Sequence, residues 1–434
     1  MMVAALCTAV GGAVARAQGG MEFTCGKGGP HGTELSAASR YGGGEGAGHA
    51  PKQAYGFDLV PSPTLFVKGA CASDQPFFFS VEVPEGNYQV ALTLGSDESS
   101  MPTVRAESRR LVVEPRRISP GGSRRVVFNV NVRTENIAGE VGTSAKVKLK
   151  PREIGALDWD EKLTLEFNGD HPGFRSISIR PLADVTTVYL AGDSTVVDQD
   201  KEPWAAWGQM LPVFFGPGVV IANEAESGET IRSFTGERRF DKILSTIRRG
   251  DYLLMQFAHN DQKAGTPEAT DFKGYLRRYV DAVRKVGATP VLVTSMNRRT
   301  FGADGTITDS LGGYPQAMRA FAREAKVPLI DLNADSKVLF EAMGPEGTLK
   351  AFVHYPANTF PGQDAELKDD THFNAHGAYE LARAVVQEIR DQRLPLAPYL
   401  RKDISVFRAG RPDDRATFVW PPSPLVSAEK PYGR

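Results

Sequence analysis

Thr187-Val188-Tyr189-Leu190-Ala191-Gly192-Asp193-Ser194-Thr195 is an apolar run that breaks off into a turn of Gly, Asp and Ser. A short run of strand formers bounded by turn residues reads as a buried strand, and this one delivers the Ser194 hydroxyl at its carboxyl end. Downstream the texture repeats. Apolar strand candidates at 187–191, 218–224, 251–258, 289–295 and 328–332 alternate with amphipathic helices such as Phe272 to Val286, which carries Tyr275, Tyr279, Val280 and Val283 on one face. That alternation predicts a parallel sheet covered by helices on both sides, with any ligand at the carboxyl ends of the strands.

Upstream of Pro181-Leu182 the period changes to two. Val81 and Val83 alternate with polar residues, Pro84-Glu85-Gly86-Asn87 turns the chain, and Tyr88, Val90, Leu92 and Leu94 alternate again, which predicts a hairpin. The pattern returns at Val126 to Val132, around Val147-Lys148-Leu149, from Leu163 to Phe167 and at Ile177-Ser178-Ile179, so an all-β sandwich is expected over 55–182. Residues 18–54, with Gly42-Gly43-Gly44 and no apolar periodicity, read as a Gly-rich lead-in. Met1 to Val14 is apolar and small, and Ala15-Arg16-Ala17 has the form of a signal-peptidase site; 1–17 is therefore expected to be a signal peptide, with a secreted or periplasmic product. Cys25 and Cys71 then remain, either as a disulfide or as two unpaired thiols.

The 434 residues exceed one ordinary core, and 41% hydrophobic with 24% charged residues is the balance of a globular chain. A formal net charge of -1, with both signs scattered, argues against a nucleic-acid partner, and no segment has the 18 or more apolar residues of a membrane span.

Four short segments fall at the expected rim of the sheet: Gly192-Asp193-Ser194, Glu226-Ser227-Gly228, Ala258-His259-Asn260-Asp261 and Asp369-Asp370-Thr371-His372. Acyl transfer by a serine needs a base for the hydroxyl proton, a carboxylate to orient that base, and donors aimed at the developing oxyanion. Ser194 would attack, and His372 would serve as base and then acid. Asp369, three positions earlier, would meet His372 on one turn and hold its tautomer. The backbone N–H groups of Ser194 and Gly228 and the Asn260 amide would form the oxyanion hole, with Gly228 allowing close approach. Each segment taken singly reads as a turn; the conjunction of four in order carries the chemistry. The Gly-x-Ser-x-Gly elbow of conventional α/β-hydrolases is absent, since Val196 stands where the second Gly belongs. A metal reading from His372 and His376 lacks a third ligand, so neither metal nor cofactor is expected.

In order and content the four segments resemble the SGNH (GDSL-like) hydrolases, and Gly192 to Gln199, His259-Asn260-Asp261 and Asp369-x-Thr371-His372-Phe373 look like the rhamnogalacturonan acetylesterase branch. Ala258 departs from the Gly usual before the triplet. The resemblance implies a three-layer α/β/α, flavodoxin-like hydrolase domain over 183–395, preceded by a galactose-binding-like sandwich and followed by a Pro-rich extension over 396–434. It implies a secreted esterase removing O-acetyl groups from rhamnogalacturonan or pectin. The other readings are a broader esterase acting on acyl lipids or acetyl-xylan, and an inactive glycan-binding protein. Trp204, Trp207, Arg232, Arg298, Arg299, Tyr355 and Phe360 border the expected rim. Aromatics stack on sugar faces and arginines pair with uronates, so Trp204, Arg232, Arg298 and Tyr355 are candidates for substrate binding, while Trp204 and Trp207 also fit a core. On this reading 183 onward carries the site, and the sandwich supports it or binds glycan.

Overall fold

The computed structural model describes residues 19–26, 32–42, 53–60, 62, 64–139 and 145–431, so the expected signal peptide lies outside the described residues. The chain divides into two compact units. The first takes the described residues up to Val104 with Val113–Arg133 and Asp160–Val185, and the second takes Arg105–Val112, Thr134–Trp159 and Thr186–Arg434.

Strands β1 (Met21–Cys25), β2 (Thr33–Leu35), β3 (Tyr55–Asp58), β4 (Phe66–Val67), β5 (Cys71–Ala72), β6 (Phe77–Glu82), β7 (Gly86–Leu94), β8 (Met101–Ala106), β9 (Arg110–Val113), β10 (Arg124–Val132), β11 (Lys162–Asp170) and β12 (Gly173–Pro181) make two sheets. One runs β10-β7-β12-β1-β2, with β5 on β12 and β4 on β5; the other runs β3-β6-β11-β8-β9. Their inner faces meet through aromatic rings: Phe23 of β1 lies 5.1 Å from Phe79 of β6, and Phe174 of β12 lies 4.7 Å from Phe167 of β11. This is a sandwich whose alternating residues bury one face of each sheet.

Two expectations fail here. The segment 77–94 is not a hairpin, because β6 pairs with β3 and β11 while β7 pairs with β10 and β12 in the opposite sheet. Period two reports which side chains face the core, not which strand lies alongside. Nor is 18–54 an unstructured lead-in throughout: β1 pairs antiparallel with β12, Met21 opposite Ile179, and buries Phe23 and Cys25. Flanking glycines hid a five-residue alternation. Cys25 of β1 and Cys71 of β5 form a disulfide with Cα atoms 5.4 Å apart.

In the second unit, β13 (Thr186–Gly192), β14 (Val219–Asn223), β15 (Tyr252–Gln256), β16 (Thr289–Val293) and β17 (Leu329–Ile330) form a fully parallel sheet in the order β14-β13-β15-β16-β17. Alternate residues go to opposite cores. Val188, Leu190, Ile221 and Leu254 pack with the helices Trp207–Met210, Leu332–Thr348 and Ala375–Asp391, whereas Tyr189, Ala191, Ala222 and Leu253 pack with Ile231–Gly236, Arg239–Thr246, Lys273–Lys285 and Tyr314–Ala325. Two separate apolar clusters on one sheet make a three-layer α/β/α fold, as expected. A short antiparallel pair, β18 (Phe352–Tyr355) and β19 (Leu367–Phe373), precedes the helix Ala375–Asp391. The segment around Val147 joins this unit instead of forming a sandwich strand.

The disulfide closes a sequence separation of 46 residues. Replacing Cys25 and Cys71 by Ser is expected to cost the sandwich about 4 kcal/mol through regained unfolded-state freedom. Calorimetry of the double variant, and of wild type in reductant, checks this; an unchanged transition in both would refute it.

Candidate functional site

The Gly-Asp-Ser turn follows β13 directly. The buried Asp193 orders it, its Oδ1 accepting from Thr195 N at 3.0 Å and Thr195 Oγ1 at 2.7 Å. The turn is closed from beneath by β15: a Cβ at Gly192 would stand 2.9 Å from Gln256 O, so glycine is required there. Its product is a Ser194 side chain held where three other segments arrive.

His372 and Asp369 sit in β19, not on a helical turn. In a regular strand, residues three apart face opposite sides. Here the pairing passes from Phe352 opposite Phe373 straight to Val353 opposite Asp369, so Asp370-Thr371-His372 bulges out of the ladder. The Asp369 carboxylate folds over that bulge, Oδ1 accepting from Thr371 N at 2.7 Å and His372 N at 2.9 Å. Its Oδ2 lies 2.9 Å from His372 Nδ1, and His372 Nε2 lies 2.9 Å from Ser194 Oγ. All three side chains are buried. Burial opposes the charge on Asp369, but His372 and Lys430 more than offset it and hold the carboxyl well below the usual carboxylate range.

The Glu226-Ser227-Gly228 loop is tied to the same place. Glu226 N donates to Gly192 O at 3.1 Å, and Gln199 Nε2 donates to Ser194 O at 2.9 Å and reaches Ser227 Oγ at 3.4 Å. Gly228 has φ +82°, a conformation open to glycine and costly to other residues. Asn260, on the first turn after β15, donates one amide N–H to Glu229 O at 3.0 Å, which docks it against the Gly228 loop. Neighbouring His259 has its Nδ1 3.4 Å from Asp193 Oδ2; burial pulls the imidazole down in pKa, away from a charged role.

The expected rim residues separate. Trp204 is buried, its indole N–H donating to Ser427 O at 3.0 Å and its ring edge-on to His372 at 5.8 Å, so it walls the His372 ring more than it offers a sugar platform. Arg298 is half-buried and joins the site, donating to His259 O at 3.1 Å and Ser310 O at 2.6 Å. Arg232 is exposed on the first turn of Ile231–Gly236, and Tyr355 packs edge-on to Phe360 at 5.0 Å. Trp207 belongs to the core, hydrogen-bonded to Gln256 Oε1 at 2.8 Å. Arg299 pairs with Asp370 at 3.1 Å. His376 is buried beside Phe418 in the helix Ala375–Asp391, and among the described residues no group of three His, Cys, Asp or Glu is placed to hold a metal ion.

Sequence reading missed a whole contributor. Residues 150–153, far upstream of β13, cover the Gly228 loop. Lys150 Nζ donates to Ser227 O at 2.7 Å and pairs with the buried Glu229, and Arg152 Nε donates to Glu226 Oε1 at 2.8 Å. Glu153 in turn pairs with the fully buried Arg239, Oε1 to Nη1 at 3.0 Å. The catalytic unit is thus not confined to 183–395. The charged run Lys150-x-Arg152-Glu153 was the available signal, but it reads equally as a solvated surface.

A family model for GDSL-like lipases/acylhydrolases matches residues 190–379. The rhamnogalacturonan acetylesterase RhgT of Bacillus subtilis is 45% identical over 227 residues, 52% of this chain and 96% of that protein. The chain belongs to the GDSL-like lipase/acylhydrolase family. As a member it is a carboxylic ester hydrolase. The uncharacterized esterase YxiM of the same organism is 29% identical over 321 residues, 72% of this chain and 74% of that one; a crystal structure of the Bacillus subtilis YxiM protein aligns over 86% of this chain and 99% of its own at 26% identity and TM-score 0.46.

Two predictions follow from this hydrolase's buried charges. Removing Lys150 and Arg152 together (Lys150→Ala, Arg152→Ala) strips Glu226 and Glu229 of their hydrogen-bonded cations and leaves Arg239 as the nearby positive charge, which should cost about 3 kcal/mol and lower turnover of an aryl acetate at least about tenfold as the Gly228 loop shifts. Wild-type melting and turnover in that variant would contradict it. Separately, burial pushes the Asp261 carboxyl from 3.8 up to about 7, despite its bond from Ile231 N. The folded chain therefore keeps a proton that the unfolded chain releases near pH 4, so this stabilisation is present at low pH and lost as pH rises towards 7. Asp261→Asn should flatten the fall in Tm across that window; an identical Tm–pH slope in the variant would disprove the assignment.

Proposed function

We propose that this chain is a carbohydrate O-acetylesterase of exported location that deacetylates rhamnogalacturonan-type pectin through an acyl-serine intermediate. The observation that carries the mechanism is the buried chain Ser194 Oγ to His372 Nε2 and His372 Nδ1 to Asp369, both links 2.9 Å. The likeness to RhgT, over nearly its full length, supports the substrate. The Cys25–Cys71 disulfide supports a location outside the reducing cytosol.

In the first half-reaction Ser194 Oγ forms a bond to the acetyl carbonyl carbon while its proton passes to His372 Nε2. Asp369 holds the Nδ1–H and stabilises the imidazolium. The carbonyl electron pair moves to an oxyanion that faces the Ser194 and Gly228 N–H groups and the second N–H of the Asn260 amide. Collapse breaks the bond to the sugar oxygen, which leaves with the proton from His372. Water then attacks the acetyl-serine, giving its proton to His372, and acetate departs as Oγ is reprotonated.

Ser194→Ala is expected to abolish acetate release from acetylated rhamnogalacturonan. Asn260→Ala should lower kcat by about a hundredfold, with KM changed less than about fivefold, because the lost donor faces charge present only in the transition state. Comparing acetylated pectin, acetyl-xylan and an aryl acetate tests the substrate. Faster release from xylan would overturn the pectin assignment, and an active Ser194→Ala would overturn the mechanism.

A further inference from the structure

Beyond the matched family region, which ends at 379, the chain returns over the catalytic unit as an irregular strap. Glu202 is its anchor. The Glu202 carboxylate accepts from Trp420 Nε1 at 2.8 Å and Ser423 N at 3.2 Å, and pairs with buried Arg109 at 2.5 Å. Its backbone forms a short parallel bridge, Glu202 N to Leu425 O at 2.8 Å and Ser427 N to Glu202 O at 2.9 Å. The Arg105 guanidinium stacks 4.0 Å above Trp420. Ser427 O receives the Trp204 indole N–H, so the wall of the His372 ring and the strap are one assembly. Three residues on, Lys430 Nζ stands 2.8 Å from Asp369 Oδ2, the same oxygen that faces His372 Nδ1.

We propose that Lys430 is a positioning residue of the triad, delivered by the C-terminal strap to keep Asp369 ionised and aimed at His372. The inference rests on the Ser194–His372–Asp369 mechanism above. A carboxylate this buried, with Oδ1 committed to the bulge amides, has Oδ2 alone to orient the imidazole. A cation on Oδ2 stabilises the charged form and fixes the side chain. Its positive charge also acts against a positive charge on the neighbouring imidazole, an opposition that is lost when Lys430 is replaced by a neutral residue. The other charged and titratable groups facing this centre are Lys263, which feels Lys430, Asp369, Arg298 and Asp193, and His259, which feels His372 and Asp193; Glu429 neighbours Lys430 on the strap. All of them persist when only Lys430 is changed.

Full-length wild type, Lys430→Met, Lys430→Arg and Ser194→Ala are compared for aryl acetate hydrolysis between about pH 5 and 9. Lys430→Met should lose about tenfold in kcat with KM nearly constant, and the acid limb of its kcat/KM profile should move to higher pH by about half a unit or more. Lys430→Arg should recover both. A structural clamp alone would lower Tm without moving the limb, and that result, or a wild-type profile in Lys430→Met beside a dead Ser194→Ala, overturns the role of Lys430 while leaving the triad intact. An active Ser194→Ala overturns both.

Discussion

A carboxylate removed from water must be hydrogen-bonded and charge-balanced, and Asp369 is where this molecule meets that demand. Its two oxygens take two bulge amides, the His372 ring and the Lys430 ammonium. Two structural devices supply these partners: the bulge in β19 provides the amides and turns His372 towards Ser194, and the strap brings Lys430. The helix Ala375–Asp391 is fastened just beyond, its cap Asn374 accepting from His376 N and Gly377 N while its amide reaches Lys350 O and Phe352 O.

The opposite wall obeys the same rule with other residues. The Gly228 loop buries Glu226 and Glu229, and burial pushes both carboxyls up to about 7 even against the cations beside them. Lys150 and Arg152 supply the opposing charges, and Glu153 links them to Arg239. Because these cations precede β13 by about thirty-five residues, the catalytic unit is discontinuous along the chain, and the hairpin tip Arg105–Val112 belongs to it too, with Arg110 Nε 2.5 Å from Asp198. A stretch of sequence that resembles part of a supporting domain completes the environment of the site.

Legibility followed the range of each interaction. Buried parallel strands announce themselves as runs of apolar residues, so all five strands of the central sheet, and Ser194 at the end of the first, were visible locally. Asp369 and His372 were recognised as partners from spacing and residue type, yet the geometry imagined for them, a helical turn, was wrong, because a bulge is set by how two strands pair and leaves little trace in one of them. Trp204 was recognised as a rim residue, but its role as a wall against His372 depends on Ser427, more than two hundred residues away.

By itself the sequence determined the α/β/α layering and pointed to the segments whose Ser194, His372 and Asp369 the fold brings together, since periodicity and turn chemistry are local properties of the chain. Only the tertiary structure decided that β6 and β7 lie in opposite sheets, that β1 belongs to the sandwich, that Cys25 meets Cys71, and that Lys150 pairs with Glu229, Arg152 with Glu226 and Lys430 with Asp369. A lone lysine or arginine carries no mark of its partner. Its place is chosen by which buried carboxylate would otherwise lack a counter-charge, and that is known only once the chain has folded.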